Sequence, residues 1–227
     1  MKYTHLILSG NNSSKLDESI RISRKLFSID RLIIVVPEGQ STSFKAAISA
    51  IKKRWKDVDI KYASIDDIEL CALDLCDCIE EVLIGERRKD KDVIINISHA
   101  NPTFAIAGYF CASILKLKII TVVDGEPEAI SRVPFQELIP IRYAILAKIP
   151  DRVCNQTSLM GTVNTALEKG EFPDVSVTTL SPTNMSHHVK YLDTEEFLIR
   201  VKTGREKEII ITNLGRLMRK SYEILKI

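Results

Sequence analysis

The feature that most constrains this chain is a regular alternation in its N-terminal half. Short apolar runs occur at Tyr3–Ser9, Arg31–Val36, Val58–Ala63, Asp92–Ile97 and Leu117–Val123. Segments of helical length lie between them, at Lys15–Phe27, Ser43–Trp55, Ile65–Leu83 and Pro102–Leu115. A β-α-β-α succession of this kind implies a parallel sheet with helices on both faces. Leu32–Val36 and Val93–Ile97 are almost continuously apolar, as expected of strands covered on both sides.

Sheets of this class bind ligands outside the carboxyl ends of their strands. Two loops fall there. One is Ser9-Gly10-Asn11-Asn12-Ser13-Ser14, and the other is Ser98-His99-Ala100-Asn101-Pro102-Thr103. The candidate ligand contacts are Ser9, Gly10, Asn11, Asn12, Ser98, His99, Ala100, Asn101, Pro102 and Thr103. Pro102 suits the first turn of a helix, whose free N–H groups can hold a phosphate. The same residues also suit ordinary turns in which Ser and Asn cap helices. Of the four histidines only His99 reaches this edge. It reads as a ligand contact or a polar cap over the sheet. No companion acid or base stands near it in sequence, so no catalytic residue is assigned.

Several chemistries are not supported. The chain has no G-x-G-x-x-G after its first strand, no phosphate-binding G-x-x-x-x-G-K-[ST], no G-x-S-x-G and no H-E-x-x-H. Cys71, Cys76, Cys78, Cys111 and Cys154 include no C-x-x-C pair. They read as reduced thiols packed like small hydrophobes rather than as a zinc site, so no metal is assigned. No apolar run approaches the ~18–20 residues that span a bilayer. The chain enters its first strand without a signal-peptide pattern, so a cytoplasmic protein without membrane contact is expected.

Charge is informative through its placement. The net charge is only +2. From Ile141 onward 13 Lys and Arg face 10 Asp and Glu, against 19 and 20 before it. Between Leu198 and Lys220, Arg200, Lys202, Arg205, Lys207, Arg216, Arg219 and Lys220 face only Glu206 and Glu208. Such a stretch is either a solvated surface or part of a nucleic-acid interface, depending on the fold that presents it.

The fold expected there presents it well. Ser181 is a good N-cap, and Pro182 suits the first helical position. Met185, Val189 and Leu192 form one buried stripe. Thr183, His187, Lys190 and Tyr191 point away from it, flanked by Asn184 and Ser186. This mostly uncharged polar face suits the major groove better than a plain solvated helix would. Phe197–Lys202 and Lys207–Thr212 read as two strands joined by Thr203-Gly204-Arg205-Glu206, a hairpin with a basic tip. A final amphipathic helix opens at Asn213, with Leu214, Leu217, Met218 and Leu225 as its apolar positions. The candidate DNA contacts are Thr183, Asn184, Ser186, His187, Lys190, Tyr191, Arg200, Lys202, Arg205 and Lys207. The helix before this one is either Ser158–Lys169 or a short segment near Val175–Leu180.

The stretch from Leu180 to Met218 resembles the winged helix-turn-helix of bacterial and archaeal transcription regulators of the ArsR and MarR kind. Its strongest parts are S-P-T-N-M-S-H-H-V-K-Y-L and F-L-I-R-V-K-T-G-R-E-K-E-I-I-I-T-N-L-G-R-L. The usual Leu-x-x-x-Gly-Leu between helix and wing is here Leu192-Asp193-Thr194-Glu195-Glu196-Phe197. The two halves together resemble the CRISPR-associated Rossmann-fold (CARF) regulators, and among them the archaeal type I-A transcription factors. In that family a strand leads into N-x-[ST]-G-G-[ST]-[KR], where this chain has Asn96-Ile97-Ser98-His99-Ala100-Asn101-Pro102-Thr103, without the glycines and the basic residue. Asp124-Gly125, leading to Val133-Pro134 and a linker helix, follows the family pattern.

The expected organisation is a Rossmann-like α/β ligand-binding and dimerisation domain over 1–134, then a linker helix and winged helix-turn-helix over 135–227. The resemblance implies a homodimer with a cyclic oligoadenylate, most often cyclic tetra-adenylate, across the twofold near Ser9–Asn12 and Ser98–Thr103. No other cofactor is expected. The function it implies is a ligand-responsive regulator of double-stranded DNA in antiviral defence. The alternatives are a ring nuclease that cleaves the cyclic oligoadenylate, which needs little beyond a positioned 2′-hydroxyl, and a regulator of the same architecture sensing another ligand.

Overall fold

A computed structural model describes residues 3–10, 12, 14–86, 93–131, 138–203 and 206–225. They fall into two units, Met1–Phe135 and Gln136–Lys226.

In the first unit the strands are β1 (Tyr3–Leu8), β2 (Ile29–Pro37), β3 (Val58–Ala63), β4 (Val93–Asn96), β5 (Lys118–Val123) and β6 (Glu126–Ile130). The helices are α1 (Ser14–Leu26), α2 (Ser41–Arg54), α3 (Ile68–Glu86) and α4 (Pro102–Ile114). The sheet order is β3-β2-β1-β4-β5-β6, with only the last pair antiparallel. The α/β sheet read from sequence is therefore the one observed. This order belongs to doubly wound sheets of Rossmann type and reverses between β1 and β4, which opens a crevice there.

The alternation of side chains along the strands divides the core. On one face Ile7, Leu32, Ile34 and Val36 pack with Leu16 and Ile20 of α1 and with Phe44 and Ile51 of α2. On the other, Gly108 lets α4 lie close to the sheet. A Cβ there would come within 2.4 Å of Leu8 Cδ1. Cys71, Cys76, Cys78 and Cys111 are all buried, as expected of thiols used as small hydrophobes. The Sγ atoms of Cys76 and Cys111 lie 2.7 Å apart between α3 and α4. Asp124 and Gly125 both take positive φ, 50° and 80°, which makes the tight turn of a β5–β6 hairpin. The sequence reading treated this pair as the start of the route to the linker and missed strand β6. Val133 and Pro134 lie outside the described residues.

The second unit contains α5 (Pro140–Lys148), β7 (Cys154–Asn155), α6 (Gln156–Glu168), α7 (Pro182–Thr194), β8 (Leu198–Thr203), β9 (Glu206–Ile211) and α8 (Asn213–Leu225). Its sheet runs β7-β9-β8. The helix before α7 is α6, the first of the two placements considered, and Val175–Leu180 is not helical. The approach to α7 is held by Asn164, which accepts from Leu180 N at 2.7 Å and donates to Leu180 O at 3.1 Å. Glu196 takes the left-handed conformation, φ 60°, at the place where the resembling motif has glycine. Phe197 N then donates to Leu192 O at 2.9 Å and closes the helix end. Gly215 is required by close approach, because a Cβ would lie 1.9 Å from Phe197 O. Leu217 and Met218 are buried on α8 as expected, whereas Leu225 is 48% exposed.

Candidate functional site

The crevice at the β1/β4 reversal is built from polar residues at the ends of apolar strands. Asn96, fully buried, closes β4. Its carboxamide oxygen accepts from Ser98 N at 2.8 Å, and its nitrogen donates to Ser19 O at 3.3 Å. Ser19 on α1 returns a bond from its hydroxyl to Ser98 O at 3.0 Å. This circuit clamps the loop after β4 to the first helix. The loop after β1 joins it through Asn101 N, which donates to Ser9 O at 3.3 Å. Gly10 is pressed against the second loop, since a Cβ would lie 2.0 Å from His99 O. Asn12 caps α1 by accepting from Ser14 N at 3.0 Å and from its hydroxyl at 2.7 Å.

The result is a tightly closed notch, without room for a water molecule, lined by Ser9, Gly10, Asn12, Lys15, Ser19, Ser98 and His99, with Leu8 and Leu16 beneath. Ser9 and Ser98 are 2% and 3% exposed, yet neither hydroxyl has a hydrogen-bond partner among the described residues. A buried hydroxyl without a partner is costly. Lys15, ion-paired with Glu18 at 2.7 Å, brings the notch's cation. Its ammonium holds the Glu18 carboxyl below the usual range.

Five of the proposed contacts, Ser9, Gly10, Asn12, Ser98 and His99, thus meet in one place. Ala100, Asn101, Pro102 and Thr103 do not line the notch. Asn101 caps α4 by accepting from Phe104 N at 2.8 Å, and Pro102 occupies the first turn. Asn11 lies outside the described residues. The sequence reading missed Lys15, Ser19 and Asn96. Asn96 was legible as the polar end of an apolar strand, but Ser19 and Lys15 sit on a helix whose rotation no local pattern reveals. His5, in mid-strand on β1, is fully buried with both ring nitrogens unpartnered among the described residues. Burial holds it neutral, its pKa pushed down to about 4.

The second candidate surface is on α7. Ser181 Oγ accepts from Asn184 N at 3.2 Å and Pro182 follows, so the helix starts as the sequence implies. Met185, Val189 and Leu192 are fully buried. Thr183, Asn184, His187 and Lys190 are exposed, and Ser186 is half-buried. Tyr191 is half-buried, its ring lying under the Arg142 guanidinium of α5 at 3.3 Å. Arg200 is bound to Asp193, through Nε at 2.8 Å and Nη2 at 2.7 Å. Lys207 is exposed on β9. The Lys202 side chain and Arg205 lie outside the described residues. Two of the other cations in the basic stretch hold the unit together. Arg219 pairs with Asp151 at 2.8 Å and donates to Ile149 O at 2.9 Å, and Arg216 reaches Asp151 at 3.4 Å. Those two arginines hold the Asp151 carboxyl below its ordinary range.

Among the described residues no group of three or more His, Cys, Asp or Glu is placed to hold a metal. No described helix is long and apolar enough to cross a membrane.

No family model matches the chain, and no curated protein matches it. Among solved structures the chain is similar to Can2 from Sulfobacillus thermosulfidooxidans in complex with cyclic tetra-adenylate, with a TM-score of 0.41 and 14% identity over 96% of this chain. It is also similar to Enterococcus italicus Csm6 bound to cyclic hexa-2′-fluoro-hexa-dAMP, with a TM-score of 0.42 and 12% identity over 87% of this chain. The chain spans 57% of the first and 55% of the second.

Proposed function

We propose that this chain is a ligand-responsive, dimeric regulator of the CARF type that binds double-stranded DNA. One observation carries the reading. In Gln136–Lys226 the elements follow the order helix, strand, helix, helix, hairpin, helix, and the second helix of the central pair, α7, leaves a polar edge of Thr183, Asn184, His187 and Lys190 in solvent. That order is the plan of a winged helix, with α7 as the recognition helix and β8–β9 as the wing. Hydrogen-bonding side chains such as Asn184 and His187 on this edge read base edges, and a cation such as Lys207 on the wing meets phosphate.

The crevice of the first unit supports the sensing half of the proposal. Two buried unpartnered hydroxyls and the Lys15 ammonium gather hydrogen-bond donors at the strand ends, where the closed loops would have to part to admit phosphate oxygens. A cyclic, twofold-symmetric oligoadenylate would lie across two copies, each notch taking an equivalent part of the ring. Ligand binding at that twofold would change the separation of the two recognition helices. Those helices need half-sites about one turn (~34 Å) apart, so the change alters operator affinity.

The test is a fluorescence-anisotropy titration with duplexes from the promoters next to the gene, at low salt, with and without cyclic tetra-adenylate. Saturable duplex binding that shifts with the cyclic nucleotide is expected. Failure to bind any duplex at low salt overturns the regulator reading. Duplex binding that ignores the cyclic nucleotide overturns the choice of ligand.

A further inference from the structure

Away from both surfaces, one face of α1 and the C-terminal end of α2 meet at Trp55, the chain's single tryptophan. A cleft of about 350 Å³ is lined by Asp17, Ile20, Arg21, Arg24, Arg54 and Trp55. Trp55 follows the last turn of α2 in extended conformation, its N–H donating to Ile51 O at 2.9 Å. Its ring packs in part against the core cluster under α1 and α2. The Arg24 guanidinium lies over it at 5.5 Å. Asp17 anchors Arg54 through both carboxylate oxygens, at 2.9 and 2.8 Å. Arg21 and Arg24 are exposed and form no ion pair among the described residues. Lys52, Lys53 and Lys56 neighbour Arg54 and Trp55 in sequence, exposed and likewise without ion pairs among the described residues.

Cations in the last turns of helices are favoured by the helix dipole, which accounts for their sign. It does not account for Arg21, which lies before the last turn of α1, nor for three of the cleft's six lining residues being arginine beside one aromatic ring. A planar guanidinium offers a fork to phosphate oxygens and a flat face to a nucleobase, and a tryptophan offers a second stacking face. The volume suits a single nucleotide unit. In a duplex the base faces are already occupied by their neighbours.

We propose that this cleft is a binding site for single-stranded nucleic acid. Arg21 and Arg54 take backbone phosphate, one base stacks at Arg24 and Trp55, and the neighbouring lysines follow the strand onward.

Because Trp55 is the only tryptophan, its emission reports this cleft directly. The full chain is titrated with a twelve-nucleotide single strand at low salt while tryptophan fluorescence is followed. Saturable quenching that weakens as salt rises is expected. The double variant Arg21→Glu, Arg24→Glu should lose at least tenfold in affinity for the strand. Its affinity for a promoter duplex, read separately by anisotropy of a labelled duplex, should be unchanged. Lys45→Glu, on an exposed position of α2 outside the cleft, controls for net charge and should change affinity less than threefold. The proposal is overturned by no quenching, by equal quenching with a duplex of matched length or with inorganic pyrophosphate alone, or by an equal loss in Lys45→Glu. These outcomes do not depend on whether the second unit binds an operator.

Discussion

The main-chain amide of Asn101 donates to the carbonyl of Ser9 across 3.3 Å, and this bond joins the two loops of the crevice. Around it the polar groups divide into two sets. Asn96, Ser19 and Asn101 are occupied in holding the loops, whereas the hydroxyls of Ser9 and Ser98 are unpartnered among the described residues. The two sets should respond differently to substitution.

Ser98→Ala removes a hydroxyl that bonds to nothing described, so stability should stay within about 0.5 kcal/mol of the parent or rise. Ser19→Ala breaks the bond to Ser98 O and should cost about 1 kcal/mol. Under the proposed function, affinity for cyclic tetra-adenylate should fall in both. Urea melts and calorimetric titration of the two variants check this, and equal destabilisation would contradict the division.

Gly10→Ala forces a Cβ onto the His99 carbonyl, which is backbone and cannot swing away. A loss of about 2 kcal/mol or more is expected, with the effector affinity lost alongside. Thermal unfolding and the same titration measure both.

His5 sets an acid limit on stability. Its folded pKa lies near 4, below the unfolded value of about 6.5. Above pH 6.5 the imidazole is neutral in both states and has no effect on the balance. As pH falls from about 6.5 toward 4 the unfolded chain gains a proton that the folded chain does not. Stability should therefore drop over that window, by at most about 3 kcal/mol. Comparing urea melts of the parent and His5→Leu at pH 7.5, 5.5 and 4.5 isolates this contribution, because the carboxylates common to both cancel.

Glu196 holds a left-handed backbone without being glycine. Glu196→Gly should stabilise the second unit by about 0.5–1 kcal/mol, since relief of strain exceeds the added freedom of the unfolded chain. A rise in the denaturation midpoint checks it, and no rise would mean that the turn carries no strain.

Asn184→Ala, on the outer edge of α7, should relax the choice of duplex sequence while sparing non-specific binding. Lys207→Ala should weaken all duplexes about equally and reduce the salt slope by about 0.9. Anisotropy across several sequences and salt concentrations separates them.

Much of the first unit was legible because β2 and β4 are nearly continuous apolar runs and helices of clear length fall between the strands. Strand β6 was not, because Glu126–Ile130 is short and mixed in character, with both its glutamates exposed. The Asp124-Gly125 turn was the available signal for it. In the crevice the loop residues were legible from their position after the strands, whereas the clamp of Asn96 and Ser19 depends on a contact between positions 77 apart. On α7 the buried stripe was clear from its spacing. The stacking of Arg142 on Tyr191 and the pairing of Arg200 with Asp193 were not, because charge in a sequence does not show which side chains already have an internal partner.

Gly10 also limits how such a crevice can diversify. Its α-carbon is in contact with the opposite loop, so any larger residue there would have to rebuild both loops at once. Lys15, exposed on α1, carries no comparable constraint, and the buried Ser9 and Ser98 admit only residues of similar size. Variation in this crevice is therefore channelled into side-chain swaps on a fixed backbone, a route by which one scaffold can change the chemistry at its strand ends without relearning how to fold.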